Sequence, residues 1–246
     1  MIEAINLTKR YDDGRLALDA INLSVEPGEI YCLLGANGAG KSTAISIFLS
    51  FLEPSSGRAL INGIDVANDP LEAKKHVSFV PEDLTVYGQL SARQNIEFFA
   101  RLAGKRGVKK EECYNVLRQV GLQDRSFEQA VSSFTKGMRQ KLGLAIAMMR
   151  DTNAVFMDEP TSGLDPKDGT DFMDLVNELR ERGKAILIAT RDMFRVKDIA
   201  DRIGILKEGR KIIERTRSEL RHENLEALYL SYMGGYREDR SAGIAE

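Results

Sequence analysis

Three short stretches are apolar at every position: IYCLL at 30–34, AVFM at 154–157 and AILIA at 185–189. Unbroken runs of this length suit strands buried on both faces, as in a parallel sheet covered by helices. Each leads into a loop carrying Gly, Asp or Thr. Between the last two, PKDGTDFMDLVNELRERG predicts a helix, because Phe172, Leu175, Val176 and Leu179 recur at the spacing of one buried face. Asp165 suits its N-cap, Pro166 its first position and Gly183 its C-terminal stop. Strand, helix, strand in this order predicts a right-handed crossover in a mostly parallel α/β sheet. The first thirty residues differ. EAINLTKRY and ALDAINLSVEPGEI alternate in polarity around the turns DDG and EPG, which predicts a smaller antiparallel sheet.

From Leu90 to Arg150 the β-like runs nearly vanish. SARQNIEFFARLAG and KKEECYNVLRQVGL have helical periodicity, with Ile96, Phe99 and Ala100 on one face and Tyr114, Leu117 and Val120 on another. An α-helical subdomain inserted at roughly 88–150 is the expectation. Its connecting segment RLAGKRGVKK holds five basic residues and no acid, which fits a solvated loop or a contact with lipid headgroups or an acidic partner. After Arg217, SELRHENLEALYLSYM reads as a helix and REDRSAGIAE as a frayed end, giving a helical tail over 217–246.

Charge and composition narrow the chemistry. The net charge of -2 excludes a global basic field for nucleic acid. No apolar run approaches the ~18 residues of a membrane span, and the N-terminus lacks a leader pattern, so the expectation is a chain neither secreted nor membrane-spanning by itself. Cys32 and Cys113 lack CxxC spacing and fit free thiols in a reducing cytoplasm. The two histidines, His76 and His222, are far apart and have no ligand-like neighbours, which argues against a structural metal site.

Chemistry concentrates at GANGAGKST, residues 35–43, which follows one apolar run and precedes AISIFLSFL. This is G-x-x-x-x-G-K-[ST] between a strand and a helix, the context that gives the pattern its meaning. Gly35, Gly38 and Gly40, with Asn37 in the same loop, let backbone N–H groups converge on a polyphosphate ahead of a helix N-terminus. Lys41 would neutralise the β- and γ-phosphates, and Ser42, followed by Thr43, would complete a Mg²⁺ shell. In AVFMDEP, Asp158 ends a buried strand, where nucleotide sites lie in such sheets, and would hold Mg²⁺ through water. Glu159 would act as general base toward the attacking water. Together these indicate a P-loop NTPase core binding ATP and Mg²⁺.

FTKGMRQKLGLA, 134–145, resembles the signature segment of ABC ATPases, in the SKGMRQ variant of exporters with separate permease chains. Thr135 keeps the hydroxyl of that motif and also suits the N-cap of the following helix. The resemblance extends over most of 1–216. It implies that Thr135 and Gly137, pointing outward, meet a γ-phosphate held by a second subunit. It implies that Tyr11 stacks on adenine, the alternative being a strand-edge packing residue. TSGLDP matches the D-loop through Asp165, and VPED resembles the Q-loop with Glu82 in place of the usual Gln, still able to coordinate Mg²⁺. Where the family ordinarily has His after its last core strand, this chain has Arg191. Guanidinium is donor-only and permanently charged. Two readings stay open: Arg191 stabilises the γ-phosphate like an arginine finger, or it binds the ground state, or swings to Asp192 or solvent, and slows turnover.

The resemblance thus implies an ATPase subunit at the cytoplasmic face of a membrane, closing as a homodimer or heterodimer and driving separate permease subunits, more in keeping with export than import. The alternative is a catalytically weak regulatory subunit paired with a competent one. A cytosolic role in DNA repair or translation is disfavoured by the single phosphate loop and the lack of a tandem half or long heptads.

Overall fold

A computed structural model describes residues 1–221 and 225–233. The alternating N-terminal segments form antiparallel β1 (Ile2–Arg10) and β2 (Leu16–Val25). The apolar run becomes β3 (Ile30–Leu34), buried at every position, and the glycine loop hands it to α1 (Lys41–Phe48). Next come β4 (Ser56–Ile61), β5 (Ile64–Asp65), α2 (Pro70–Lys75) and β6 (Val77–Val80). β4 and β5 join the first two strands in the order β2-β1-β4-β5, so the antiparallel sheet recruits residues well beyond the first thirty. β1 pairs β4 across this separation, with Ile2, Ala4, Ala59 and Ile61 buried together.

The middle is helical: α3 (Ala92–Leu102), α4 (Lys110–Gln119) and α5 (Lys136–Arg150). Ser91 and Gln94 close a reciprocal capping box at α3, which buries Ile96 and Ala100 while Phe99 stays partly exposed. Cys113, Leu117 and Val120 are buried along α4. Both cysteines are free and buried, and burial raises both thiols, Cys113 to about 11, so neither is a ready nucleophile.

The core resumes with β7 (Ala154–Asp158), α6 (Pro166–Glu181), β8 (Ala185–Thr190), α7 (Met193–Ile199), β9 (Arg202–Lys207) and β10 (Arg210–Thr216). Asp165 caps α6 through the Asp168 N–H at 2.8 Å, and Phe172, Leu175, Val176 and Leu179 are its buried face. The second sheet runs β10-β9-β3-β8-β7-β6, parallel except for β10 at one edge. Alternate residues of β3 face two apolar layers: Cys32 and Leu34 toward α5, α6 and α7, Tyr31 and Leu33 toward α1 and the antiparallel sheet. The fold is therefore α/β, with a mostly parallel core and an antiparallel β-subdomain. α8 (Arg217–Leu220) and α9 (Leu225–Met233) follow. α9 buries Leu225, and the Lys207 ammonium donates to the Tyr232 carbonyl at 2.8 Å. His222 and the REDRSAGIAE segment lie outside the described residues. Among the described residues, no helix is long and apolar enough to cross a membrane.

Candidate nucleotide site

The C-terminal ends of β3, β6, β7 and β8 lie on one edge of the parallel sheet, and the loops leaving them build the site. Gly40 sits at φ 109°, and a Cβ there would come within 2.4 Å of the Ala17 carbonyl, so only glycine allows the loop to close against β2. Gly38 also has positive φ, at 78°. Gly35 serves packing instead: a Cβ would meet the Leu206 carbonyl at 2.6 Å. With the loop so folded, α1 starts at Lys41 and aims its unpaired N–H groups at a cavity of about 660 Å³.

Nine of the sequence-predicted residues line that cavity: Asn37, Gly38, Gly40, Lys41, Ser42, Thr43, Glu82, Glu159 and Arg191. The Lys41 ammonium is buried. It donates to the Gly35 and Ala36 carbonyls at 2.7 and 3.2 Å and lies 3.6 Å from the Glu159 carboxylate. Burial lowers its pKa, against the pull of Glu159 and Asp158. Glu159 adopts φ 44°, a left-handed backbone uncommon outside glycine, and its N–H donates to the Ala189 carbonyl at 2.8 Å. One carboxylate oxygen accepts from the Thr190 hydroxyl at 3.0 Å and the Arg191 N–H at 3.1 Å. The other accepts from the Arg191 guanidinium at 3.2 Å. Arg191 therefore does not swing to Asp192, which caps α7 and pairs with Arg195 at 3.2 Å. The nearer carboxylate claims the guanidinium.

Asp158 ends β7 just beyond the cavity lining. Burial raises its carboxyl above the usual range, against a hydrogen bond from Ser42, and its Oδ1 is buried with no hydrogen-bond partner. Such an orphaned acceptor fits a cation. Among the described residues no cluster of three or more His, Cys, Asp or Glu could hold a metal by itself. The residues present therefore fit Mg²⁺ carried in on phosphate and water, with Ser42, Asp158 and Glu82 as the protein's share.

Tyr11 is not in the lining, although its hydroxyl lies 3.4 Å from that of Thr43, which is. The Arg15 guanidinium sits 4.6 Å from its ring centroid, so one ring face is already covered. Arg15 and Glu208 line the cavity and escaped the sequence reading. Arg15 arrives through the hairpin joining β1 and β2, and Glu208 through the turn joining β9 and β10. Thr135, Gly137 and Asp165 stand apart from this cavity. Thr135 is exposed and caps α5 through the Met138 N–H at 3.2 Å. Gly137 does not point outward as expected. It is buried, and a Cβ there would lie 2.3 Å from an Asp168 carboxylate oxygen, because α6 brings Asp168 onto the start of α5. Lys141 brackets Asp168 and Asp171, each at 3.4 Å.

A family model described as ABC transporter matches residues 18–162. The chain is 34% identical over 225 residues to the probable multidrug ABC transporter ATP-binding protein YbhF of Escherichia coli strain K12, covering 91% of this chain and 38% of that one. It is 35% identical over 226 residues to the uncharacterized ABC transporter ATP-binding protein YhcH of Bacillus subtilis strain 168, covering 91% and 73%. It thus spans well under half the length of YbhF and about three-quarters of YhcH. A dimeric post-hydrolysis state of the ATP-binding cassette MJ0796, bound to ADP and Pi, superposes with a TM-score of 0.80 at 27% identity, covering 88% of this chain and 99% of that one.

Proposed function

The chain belongs to the ABC transporter family of ATP-binding proteins, and on that premise we propose that it binds and hydrolyses ATP to drive a separate membrane permease, as one half of an ATP-closed dimer. The observation that carries this reading is the convergence of Lys41, Ser42 and Glu159 on one cavity at the ends of parallel strands. In the reaction, the α1 N-terminus and loop amides hold the polyphosphate, and Lys41 leaves the loop carbonyls for the β- and γ-phosphates. Ser42, Asp158 and Glu82 would hold Mg²⁺, which would supply charge neutralisation to the phosphates. Glu159, oriented by Thr190, takes a proton from the attacking water.

Dimerisation is supported by a division within the chain: Thr135 and Gly137 lie outside the cavity that holds Lys41, so completing a site with both needs a second subunit. The dimeric MJ0796 structure supports the same reading by likeness. The permease contact is assigned to a groove of about 350 Å³ beside the Glu82 loop, lined by Phe79, Pro81, Leu84, Phe99 and Arg150 among others. Export is favoured by the SKGMRQ-like segment and by the name of YbhF. The reading places the protein peripherally on the cytoplasmic membrane face.

Purified Glu159→Gln protein is expected to bind ATP, lose hydrolysis by roughly 10²-fold or more, and elute as a dimer with ATP but a monomer with ADP. A variant that stays monomeric with ATP and hydrolyses it at the parent rate overturns the assignment.

The Arg191–Glu159 pair favours a second reading, a slow ATPase serving as the weaker half of a heterodimer. Arg191→His is then expected to raise steady-state hydrolysis at least ~10-fold, since each ~1.4 kcal/mol of barrier is tenfold. Equal rates remove this reading.

A further inference from the structure

Gln140, in the second turn of α5, is 1% exposed. Its amide nitrogen donates to the Pro81 carbonyl at 3.1 Å and to the Glu82 carbonyl at 2.7 Å. Two carbonyl acceptors fix which end of the amide faces them. Its Oε1 is turned away and is buried without a hydrogen-bond partner. An apolar side chain of the same length would avoid that uncompensated acceptor, yet only the amide can tie down these two carbonyls.

The carbonyls belong to the segment that leaves β6 after Val80 and carries Glu82 into the nucleotide cavity. Glu82 also borders a small cavity of about 160 Å³ against Lys136, Arg139 and Gln140. At its rim, Lys136 lies 3.6 Å from Asp83, a second but more exposed link between the same two segments. Lys136 directly follows Thr135, the exposed cap of α5. One buried side chain therefore joins the loop bearing Glu82 to the helix whose end bears Thr135.

We propose that Gln140 is a positioning residue that makes the Glu82 loop and the Thr135 end of α5 move as one piece, so that Mg²⁺-nucleotide at Glu82 sets the orientation of the surface a second copy meets. This rests on the reading of the chain as an ATP-closed dimer. It gives Gln140 a role in transmission, distinct from that of merely satisfying two carbonyls.

The test uses the Glu159→Gln chain as parent and adds Gln140→Met, which keeps length and packing. Dimerisation is followed by light scattering against ATP with Mg²⁺, and loop binding by a fluorescent ATP analogue without Mg²⁺. Gln140→Met is expected to bind the Mg²⁺-free analogue within about 2-fold of the parent while needing at least ~10-fold more Mg²⁺-ATP to dimerise. Two results overturn the proposal: Gln140→Met dimerising at the parent's ATP concentration, or losing analogue binding and dimerisation by the same factor. A Glu159→Gln parent that never dimerises with ATP overturns the functional reading and the proposal with it.

Discussion

Glu159 is held in a backbone conformation that costs a non-glycine residue about 1–3 kcal/mol, and its surroundings over-determine it. The Ala189 carbonyl fixes its N–H while Thr190 and Arg191 grip its carboxylate. Its candidacy was legible because a carboxylate after an apolar strand is a local pattern, as is Lys41 between a glycine loop and a helix start. Arg15 and Glu208 were not legible, because each sits in a turn between consecutive strands and reaches the cavity only where distant segments meet, through β9 pairing with β3 and the Asp19 N–H donating to the Gly209 carbonyl. Another carboxylate, Glu214, contributes to acid stability. Burial pushes the Glu214 carboxyl up, but hydrogen bonds from Arg202, Lys211 and Tyr31 outweigh it and bring the pKa down to about 2. A folded pKa below the unfolded value of about 4.3 gives stabilisation that is complete above that value and lost as pH falls through about 2. Glu214→Gln is expected to cost about 1–2 kcal/mol at pH 7, or roughly 2–8 °C in melting temperature. The gap from wild type should narrow between pH 5 and pH 3 in thermal scans, and a gap independent of pH would refute the linkage.

Helix ends and buried strands were the readable elements: Asp165 and Pro166 at α6, Thr135 at α5, and the apolar runs of β3, β7 and β8 all appear in their local sequence. β4 and β5 went unread because they are short and mostly exposed or half-buried, without an apolar signature. What local sequence could not give is how α6 meets α5. Asp168 lies on Gly137, so the start of α5 already faces an anion of its own chain. Under the dimer reading, a γ-phosphate from a second copy meets a helix end beside this carboxylate, and the two negative charges oppose each other. Asp168→Asn in the Glu159→Gln background should then lower the ATP concentration for half-dimerisation by about 2- to 10-fold, the ~0.3–1 kcal/mol of a charge at a helix terminus or somewhat more. An unchanged midpoint in light scattering would show that Asp168 does not compete.

At the scale of the whole molecule, the parallel order predicted from strand-helix-strand alternation is present, and it brings four loops to one edge. The strand that leads into the phosphate loop pairs with strands made long after it. β3 ends at Leu34, yet it lies between β8 and β9, which begin at Ala185 and Arg202. During synthesis at about 5–20 residues per second, neither edge of β3 finds its partner before β8 begins at Ala185, and the second edge waits for β9 at Arg202. The acids at the end of β7 and Thr190 at the end of β8 are made long after the phosphate loop, so the nucleotide site is completed late. Such non-local pairing makes assembly of the core slow compared with that of the central helices. Until β9 is complete, β3 presents an open edge to other chains.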